Sequence, residues 1–444
     1  GIVGDSLTIE TVRAIGQGFG SMVAERGCRT VAVAYDGRLS SPDLEQAMVD
    51  GITAAGLDVI RIGLGPTPML YFATHHLDAD AGVMITGSHN PPEYNGVKMV
   101  CQGKSFWGPD IQEMGQRISS GQLLSGTGKF RHYNIFDEYV NRLVLDYRGD
   151  KNLKVAWDPG NGAAGEVIRS LTQRLPGEHI LINDEIDGTF PAHHPDPTVE
   201  KNLEQLKDVV LSQRCDLGLA FDGDGDRIGI IDAKARVLWG DQILIVLARE
   251  VLAELPGSTI IADVKSSQAF FDEVARLGGK PLMCKTGHSL IKNKMLETGA
   301  PLAGEMSAHI FIKHRYYGFD DAPYAAVRIL SILARGAETL VEIRDSLPQL
   351  VNTPELRFPC AEDRKVPVVE AVRARLSERT DVTVHDIDGV RVETVDGWWL
   401  LRASNTQDVL VARCESGTEE GLHRLQADLA EQLTESGLAL PDGT

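Results

Sequence analysis

The sequence predicts an α/β protein in which three related units with mixed, largely parallel sheets precede a smaller α+β unit, all four set around a central cleft. Three observations carry that reading. Through the first three quarters of the chain, short apolar, β-branched runs alternate with amphipathic stretches of helical period, as in parallel sheets covered by helices. Within them one arrangement recurs three times: a strand ends in Asp, a turn of small residues follows, and a helix begins. The copies are residues 31–36 before Gly37-Arg38, 155–158 before Pro159-Gly160-Asn161-Gly162, and 260–263 before Val264-Lys265-Ser266-Ser267. From about residue 358 the texture changes to short strands at 382–384, 390–394, 398–401 and 409–414. A last helix follows, with Leu422, Leu425, Leu429 and Leu433 on one face.

A chain of 444 residues exceeds what one core usually serves, so about three or four domains are expected. Their limits are placed at 1–147, 148–250, 251–357 and 358–444. In each of the first three units a second apolar strand runs into a polar loop, at 86–91, 222–227 and 304–309. Loops at the carboxyl ends of parallel strands are where such sheets bind ligands, so one shared cleft is the economical inference.

Apolar residues make up 43% of the chain and charged ones 24%, ordinary for a folded globular protein. The six cysteines stand singly, which argues against a disulfide framework and a zinc site and fits a reducing cytoplasm. No apolar run of membrane-spanning length occurs, and residues 1–20 lack the basic start and apolar core of a signal peptide. The expectation is a protein neither exported nor membrane-bound, monomeric or dimeric. Sixty-three acidic residues against 44 basic ones give a net charge of −19, which opposes binding to nucleic acid. A small phosphorylated ligand would need a local basic pocket.

The strongest motif is Asp222-Gly223-Asp224-Gly225-Asp226-Arg227, directly after the apolar run 217–221. Alternate carboxylates with glycines between them fold onto one hard cation, and Mg²⁺ is the first expectation. An EF-hand loop is excluded, because its Gly and Glu positions hold Arg227 and Ala233. The second motif, Thr86-Gly87-Ser88-His89-Asn90-Pro91, puts a serine on a tight polar loop where it can act as a nucleophile. A lipase-type elbow is excluded by Thr86 and Asn90, where glycines would be needed. Ten residues on, Lys98 in Tyr94-Asn95-Gly96-Val97-Lys98 places a cation near Ser88.

The third loop, Gly304-Glu305-Met306-Ser307-Ala308-His309, offers a carboxylate, a hydroxyl and an imidazole suited to sugar hydroxyls and proton transfer. Lys285-Thr286-Gly287-His288-Ser289 adds a basic residue nearby. The fourth, Arg402-Ala403-Ser404-Asn405-Thr406, has what a phosphate dianion needs; without its Arg it would read as a hairpin. Two glycine clusters are set aside. Gly16-Gln17-Gly18-Phe19-Gly20 lies inside a helical pattern and reads as close helix packing. Gly63-Leu64-Gly65-Pro66-Thr67-Pro68 reads as a rigid loop, not a pyrophosphate site.

The serine loop, the triple-Asp loop, G-E-M-S-A-H and R-A-S-N-T, in that order, resemble the α-D-phosphohexomutase superfamily. The nearest look is to the bacterial phosphomannomutase/phosphoglucomutase group, from residue 1 to about 420. The resemblance implies that Ser88 is a phosphoserine and that Asp222, Asp224 and Asp226, with its phosphoryl oxygen, bind Mg²⁺. Arg227 and Lys98 would neutralise charge on the transferring group. Glu305 and Ser307 would hold the 3- and 4-hydroxyls, with His309 beside them and Lys285 facing the cleft, while Arg402, Ser404, Asn405 and Thr406 would grip the other phosphate. The implied substrates are hexose phosphates, glucose and mannose alike because C2 goes unread, with a hexose 1,6-bisphosphate as intermediate and activator. Lys98 and His309 are the candidates for acid and base.

Departures from the family pattern are Gln407 and Asp408 after Thr406, and Ala308 where glycine is usual, a minor change if φ stays negative. The family's arginine-bearing segment just before position 1 lies outside this sequence. Three rival readings remain. A phosphoglucosamine mutase is disfavoured by Met306, a phosphatase using an aspartyl nucleophile leaves Ser88 unexplained, and a non-catalytic sugar-phosphate sensor leaves both intact loops unexplained.

Overall fold

The computed structural model describes residues 1–404 and 407–439. Four sheets succeed one another along the chain. The first contains β1 (Thr30–Tyr35), β2 (Asp58–Leu64), β3 (Ala81–Ile85), β4 (Val97–Cys101), β5 (Lys104–Ser105) and β6 (Phe130–His132), in the order β5-β4-β3-β1-β2-β6. The second contains β7 (Lys154–Asp158), β8 (Glu178–Leu181), β9 (Leu217–Phe221), β10 (Ile228–Asp232) and β11 (Val237–Leu238), in the order β11-β10-β9-β7-β8. The third contains β12 (Thr259–Asp263), β13 (Lys280–Cys284), β14 (Leu302–Gly304) and β15 (Ile310–Ile312), in the order β13-β12-β14-β15.

These three sheets share one plan. The strand that ends at the recurring Asp (β1, β7, β12) is central and parallel to both neighbours, and the strand before each polar loop turns back into an antiparallel partner. The second and third loops are therefore tight reversals, with Phe221 opposite Ile228 and Gly304 opposite Ile310, while Ile85 pairs with Val97 across the longer serine loop. Central strands buried on both faces read as unbroken apolar runs, which is why their parallel pairing was legible. The return strands also carry apolar residues, and nothing local marks their direction.

The fourth sheet is antiparallel among β18 (Thr383–His385), β19 (Val390–Thr394), β20 (Gly397–Ala403) and β21 (Val409–Ser416), with β16 (Val351–Asn352) and β17 (Leu356–Pro359) both on β21. Its last helix, Glu419–Glu435, buries the four leucines read from the sequence. The helix Gly240–Glu254 runs through position 250 and packs on the helix Gln268–Arg276 and on β14, so we place the start of the third unit at that helix.

One apolar core runs through the first three units, from Ala32 on β1 through Trp157 and Phe221 to Phe270 and Tyr324, whereas the fourth has its own. The glycines of the first helix, Ile9–Glu25, do serve close packing: a Cβ at Gly16 would lie 2.6 Å from Met48 O. Asp321 joins the first and third units. It caps the helix Ala322–Arg335 by accepting from Tyr324 N at 2.8 Å, and it also accepts from Tyr316 Oη at 2.7 Å and Tyr139 Oη at 3.0 Å. Asp321→Ala removes a cap and strands two buried phenols, so denaturant unfolding should show a loss of about 3 kcal/mol. A loss below about 1 kcal/mol would mean that the phenols find other partners.

Candidate functional site

The serine loop is braced from beneath. Asp36, at the end of β1, accepts from Gly87 N at 3.1 Å and from Arg38 N at 3.0 Å. The fully buried Arg38 guanidinium donates to Ser88 O, Asn90 O, Pro91 O and Tyr94 O at 2.8, 2.6, 2.5 and 2.9 Å, and its Nε donates to Asp36 at 3.2 Å. All five N–H groups are thereby used. A side chain at position 87 would strike this guanidinium at 2.5 Å, which accounts for Gly87. Ser88 itself has φ 48, a left-handed conformation rare for a non-glycine residue and sustained here by the surrounding bonds.

Ser88 Oγ donates to Asp222 Oδ2 at 2.9 Å, while Asp222 Oδ1 accepts from Asp226 N and Arg227 N at 3.0 and 3.1 Å. Asp222, Asp224 and Asp226 are all 0% exposed. Lys98 comes in from β4 and donates to Asp224 Oδ2 at 2.7 Å and to Asp226 Oδ2 at 2.5 Å. Thr67, at the start of the helix Thr67–His76, donates its hydroxyl to Asp224 Oδ2 and its N–H to Asp224 O at 2.8 Å. The rigid loop before that helix thus supports the acidic one.

Burial raises the Asp222 carboxyl well above its usual range, and the repulsion of Asp224 and Asp226 raises it further. Burial opposes the charge on Lys98, but Asp224 and Asp226 outweigh it and hold the ammonium protonated well past its ordinary range. Among the described residues, Asp224 Oδ1 and Asp226 Oδ1 are buried without a hydrogen-bond partner. Three carboxylates with two unsatisfied oxygens, beside a serine hydroxyl, make an all-oxygen donor set that fits a hard divalent cation.

In the third loop Glu305 is buried and accepts from Gly287 N at 2.6 Å, and burial raises its carboxyl above the usual value. Ser307 is half-buried beside it. His309 reaches across to the metal loop, where Arg227 Nε donates to His309 Nε2 at 3.0 Å and the two residues form a β-bridge. His309 Nδ1 lies 3.2 Å from Asp320 Oδ2 and 3.5 Å from Asp226 Oδ1. Asp226, His309 and Asp320 therefore cluster like metal ligands. The arginine excludes that use: Nε2 is committed as an acceptor, so in the neutral ring Nδ1 carries the proton and has no lone pair to give. Asp320 also accepts from Lys292 at 3.0 Å, and Lys292 lies 4.4 Å above the Tyr71 ring, closing a polar ring over the first three units. Ala308 has φ 69, against the negative value on which its harmlessness depended, and the left-handed backbone costs about 1 kcal/mol there.

Arg402, next to last in β20, is buried, with Nε donating to Asp388 Oδ2 at 2.9 Å and Nη2 unpartnered among the described residues. Ser404 Oγ accepts from Gln407 N at 3.2 Å, and Asn405 and Thr406 lie outside the described residues. The Asp408 carboxyl faces Glu362, whose neighbour is Lys365. Lys285 stands exposed at the end of β13.

Several residues that build the site escaped the sequence reading: Arg38, Thr67, His288, whose ring stacks on that of His309 at 5.7 Å, Lys292, Asp320 and Asp388. One signal was present. The strand-ending Asp that marked the repeat is itself a brace, since Asp263 accepts from Met306 N at 3.1 Å in the sugar loop as Asp36 does from Gly87 N.

The chain matches four family descriptions in order: "Phosphoglucomutase/phosphomannomutase, alpha/beta/alpha domain I" over residues 1–123, domain II over 136–235, domain III over 239–351, and the C-terminal domain over 355–432. It is 42% identical over 441 residues to phosphomannomutase/phosphoglucomutase of Pseudomonas aeruginosa, covering 99% of this chain and 95% of that one. It is 40% identical over 429 residues to phosphoglucomutase of Neisseria meningitidis, covering 96% and 93%. In structure it is similar to a phosphoglucomutase/phosphomannomutase family protein of Burkholderia thailandensis, with TM-score 0.94, 42% identity, and 99% and 97% of the two chains covered.

Proposed function

Because the chain belongs to the phosphoglucomutase/phosphomannomutase family, we propose that it is a hexose-phosphate mutase moving a phosphoryl group between O1 and O6 of glucose and mannose phosphates. The transfer runs through phosphorylated Ser88 and a hexose 1,6-bisphosphate. The observation that carries the reading is the Ser88 hydroxyl at 2.9 Å from a fully buried three-carboxylate loop with two unpaired oxygens.

Phospho-Ser88 donates to the free O6 or O1: the P–Oγ bond breaks as the bond to the sugar oxygen forms, and the sugar hydroxyl gives up its proton. The bisphosphate turns around, and its other phosphate returns to Ser88 Oγ. Such transfers depend on positioning and electrostatics more than on covalent assistance. Mg²⁺, held by Asp222, Asp224, Asp226 and Ser88, supplies charge neutralisation at the transferring group when bound. Lys98 is pinned as a cation by two carboxylates and serves electrostatically. That leaves His309 to handle the proton, taking it at Nε2 once the Arg227 Nε–H bond there is given up and Arg227 turns to the phosphoryl oxygens. Glu305 and Ser307 hold the 3- and 4-hydroxyls, which are addressed in both orientations of the sugar.

A coupled assay on glucose 1-phosphate, mannose 1-phosphate and glucosamine 6-phosphate, with and without traces of bisphosphate, tests the reading. Turnover of the first two, stimulated by bisphosphate, is expected; turnover of the amino sugar alone would replace it with a phosphoglucosamine mutase. The Nη2 of Arg402, unpartnered among the described residues, supports a grip on the distal phosphate. A charge-assisted bond of about 1.5–3 kcal/mol makes Arg402→Ala raise KM for glucose 1-phosphate by about tenfold to a hundredfold. Ser88 should still be phosphorylated by bisphosphate in that variant. KM and kcat both within about twofold of the parent would show that this loop does not hold substrate.

A further inference from the structure

We propose that Asp388 is a positioning residue that fixes the phosphate-gripping arginine and ties it to the sugar loop of the neighbouring unit. The proposal rests on the reading of Arg402 as the phosphate clamp. Asp388 stands in the turn between β18 and β19, and its side chain is mostly buried, at 14% exposure. A single oxygen, Oδ2, accepts twice: from Arg402 Nε at 2.9 Å within its own unit, and from Thr286 N at 3.1 Å in the third. The turn is held close against Arg402. At Gly389, with φ 77, a Cβ would lie 2.3 Å from Leu401 O and 2.7 Å from Arg402 Cβ, so only glycine lets Asp388 sit there.

The next amide continues the connection. Thr286 N is given to Asp388, and Gly287 N is given to Glu305 Oε1 at 2.6 Å. Thr286 Oγ1 donates to Asp263 at 3.2 Å, the same carboxylate that accepts from Met306 N. Two successive peptide N–H groups are thus shared between the carboxylate that orients the arginine and the carboxylate assigned to the sugar hydroxyls. A guanidinium anchored through Nε keeps N–H groups of its terminal nitrogens for a ligand, which fits the Nη2 unpartnered among the described residues. Without Asp388 the arginine keeps its charge and loses its aim, and the fourth unit loses a bond to the segment on which the sugar contact is built.

The test is a double-mutant cycle on the full-length enzyme with glucose 1-phosphate, using Asp388→Ala, Asp388→Asn, Arg402→Ala and Asp388→Ala/Arg402→Ala. Asp388→Ala should raise KM by about tenfold with a smaller loss in kcat, and Asp388→Asn, which keeps an acceptor of the same shape, by about threefold. In the double variant KM should exceed that of Arg402→Ala by no more than about threefold, the share of the Thr286 bond, and stay well short of the product of the single effects, because Asp388 acts chiefly through the arginine. Additive effects would overturn the proposal by showing an independent role. An Asp388→Ala enzyme within twofold of the parent, beside an impaired Arg402→Ala, would overturn it and leave the clamp reading standing. An unimpaired Arg402→Ala would remove the clamp reading and this proposal together. If Asp388→Ala fails to fold, the Asn variant decides: an unchanged KM overturns the proposal, and a raised KM at an unaltered unfolding midpoint supports it.

Discussion

Ser88→Ala should cost mutase turnover on the order of ten thousandfold or more, because in the proposed mechanism it removes the atom through which every phosphoryl group passes. The fold should be unaffected: the Ser88 hydroxyl bonds outward to Asp222 and His89, whereas the loop is held by its backbone on Arg38 and Asp36. The parent protein is expected to carry phosphate on the peptide containing Ser88 in part of the purified population. Its charge of roughly −1.5 to −2 would lie beside Lys98, Arg227 and the metal. Intact-mass and peptide mass spectrometry read both results. Phosphate found only on other peptides, or an active Ser88→Ala enzyme without added bisphosphate, would end the phosphoserine mechanism.

Asp224→Asn should lower both Mg²⁺ affinity and turnover by about a hundredfold, since a direct charged ligand is worth at least as much as the outer partners whose loss costs tenfold to a hundredfold. The amide keeps an oxygen for Thr67 and Lys98, so the local bonds of the loop survive. The change also removes part of the mutual repulsion that raises Asp222. Magnesium titrations of turnover, together with direct binding measurements, check this. A Mg²⁺ dependence identical to the parent's would place the cation elsewhere.

The difference between what the sequence disclosed and what it withheld is one of range. The triple-Asp and serine loops were legible because their chemistry is local: the glycines, carboxylates and hydroxyl that act together are neighbours in the chain. The parallel centre of each sheet was legible because burial on both faces writes an apolar run. Arg38 was not, since an arginine two residues past a strand reads as a solvated turn until five acceptors gather around it from residues 36–94. Thr67 was hidden in the same way, its partner lying 157 positions away. The polar ring through Asp320, Lys292 and Tyr71, and the shared oxygen of Asp388, depend on contacts between units that no periodicity encodes. Ala308 shows the opposite limit: the substitution was visible, but its backbone angle was not.

The continuous apolar core of the first three units has a consequence for motion. Ser88, Asp222 and His309 are carried by sheets that share that core, so a fluctuation tilting one sheet tilts the others with it, and the distances among these residues stay nearly constant. The fourth unit has a separate core, and besides a small cluster of Val264, Trp398 and Leu400 with Met283 it meets the third through buried polar bonds: Arg391 donates to Val264 O and Ser266 O at 2.8 Å each, Arg413 to Lys265 O at 2.6 Å, and Lys265 to Glu355 at 2.9 Å. Arg402 is therefore joined to the units that carry Ser88 by hydrogen bonds more than by apolar packing. In the proposed reaction the substrate leaves its first pose and returns reversed, and a boundary made of exchangeable polar bonds suits that step better than a shared apolar core would.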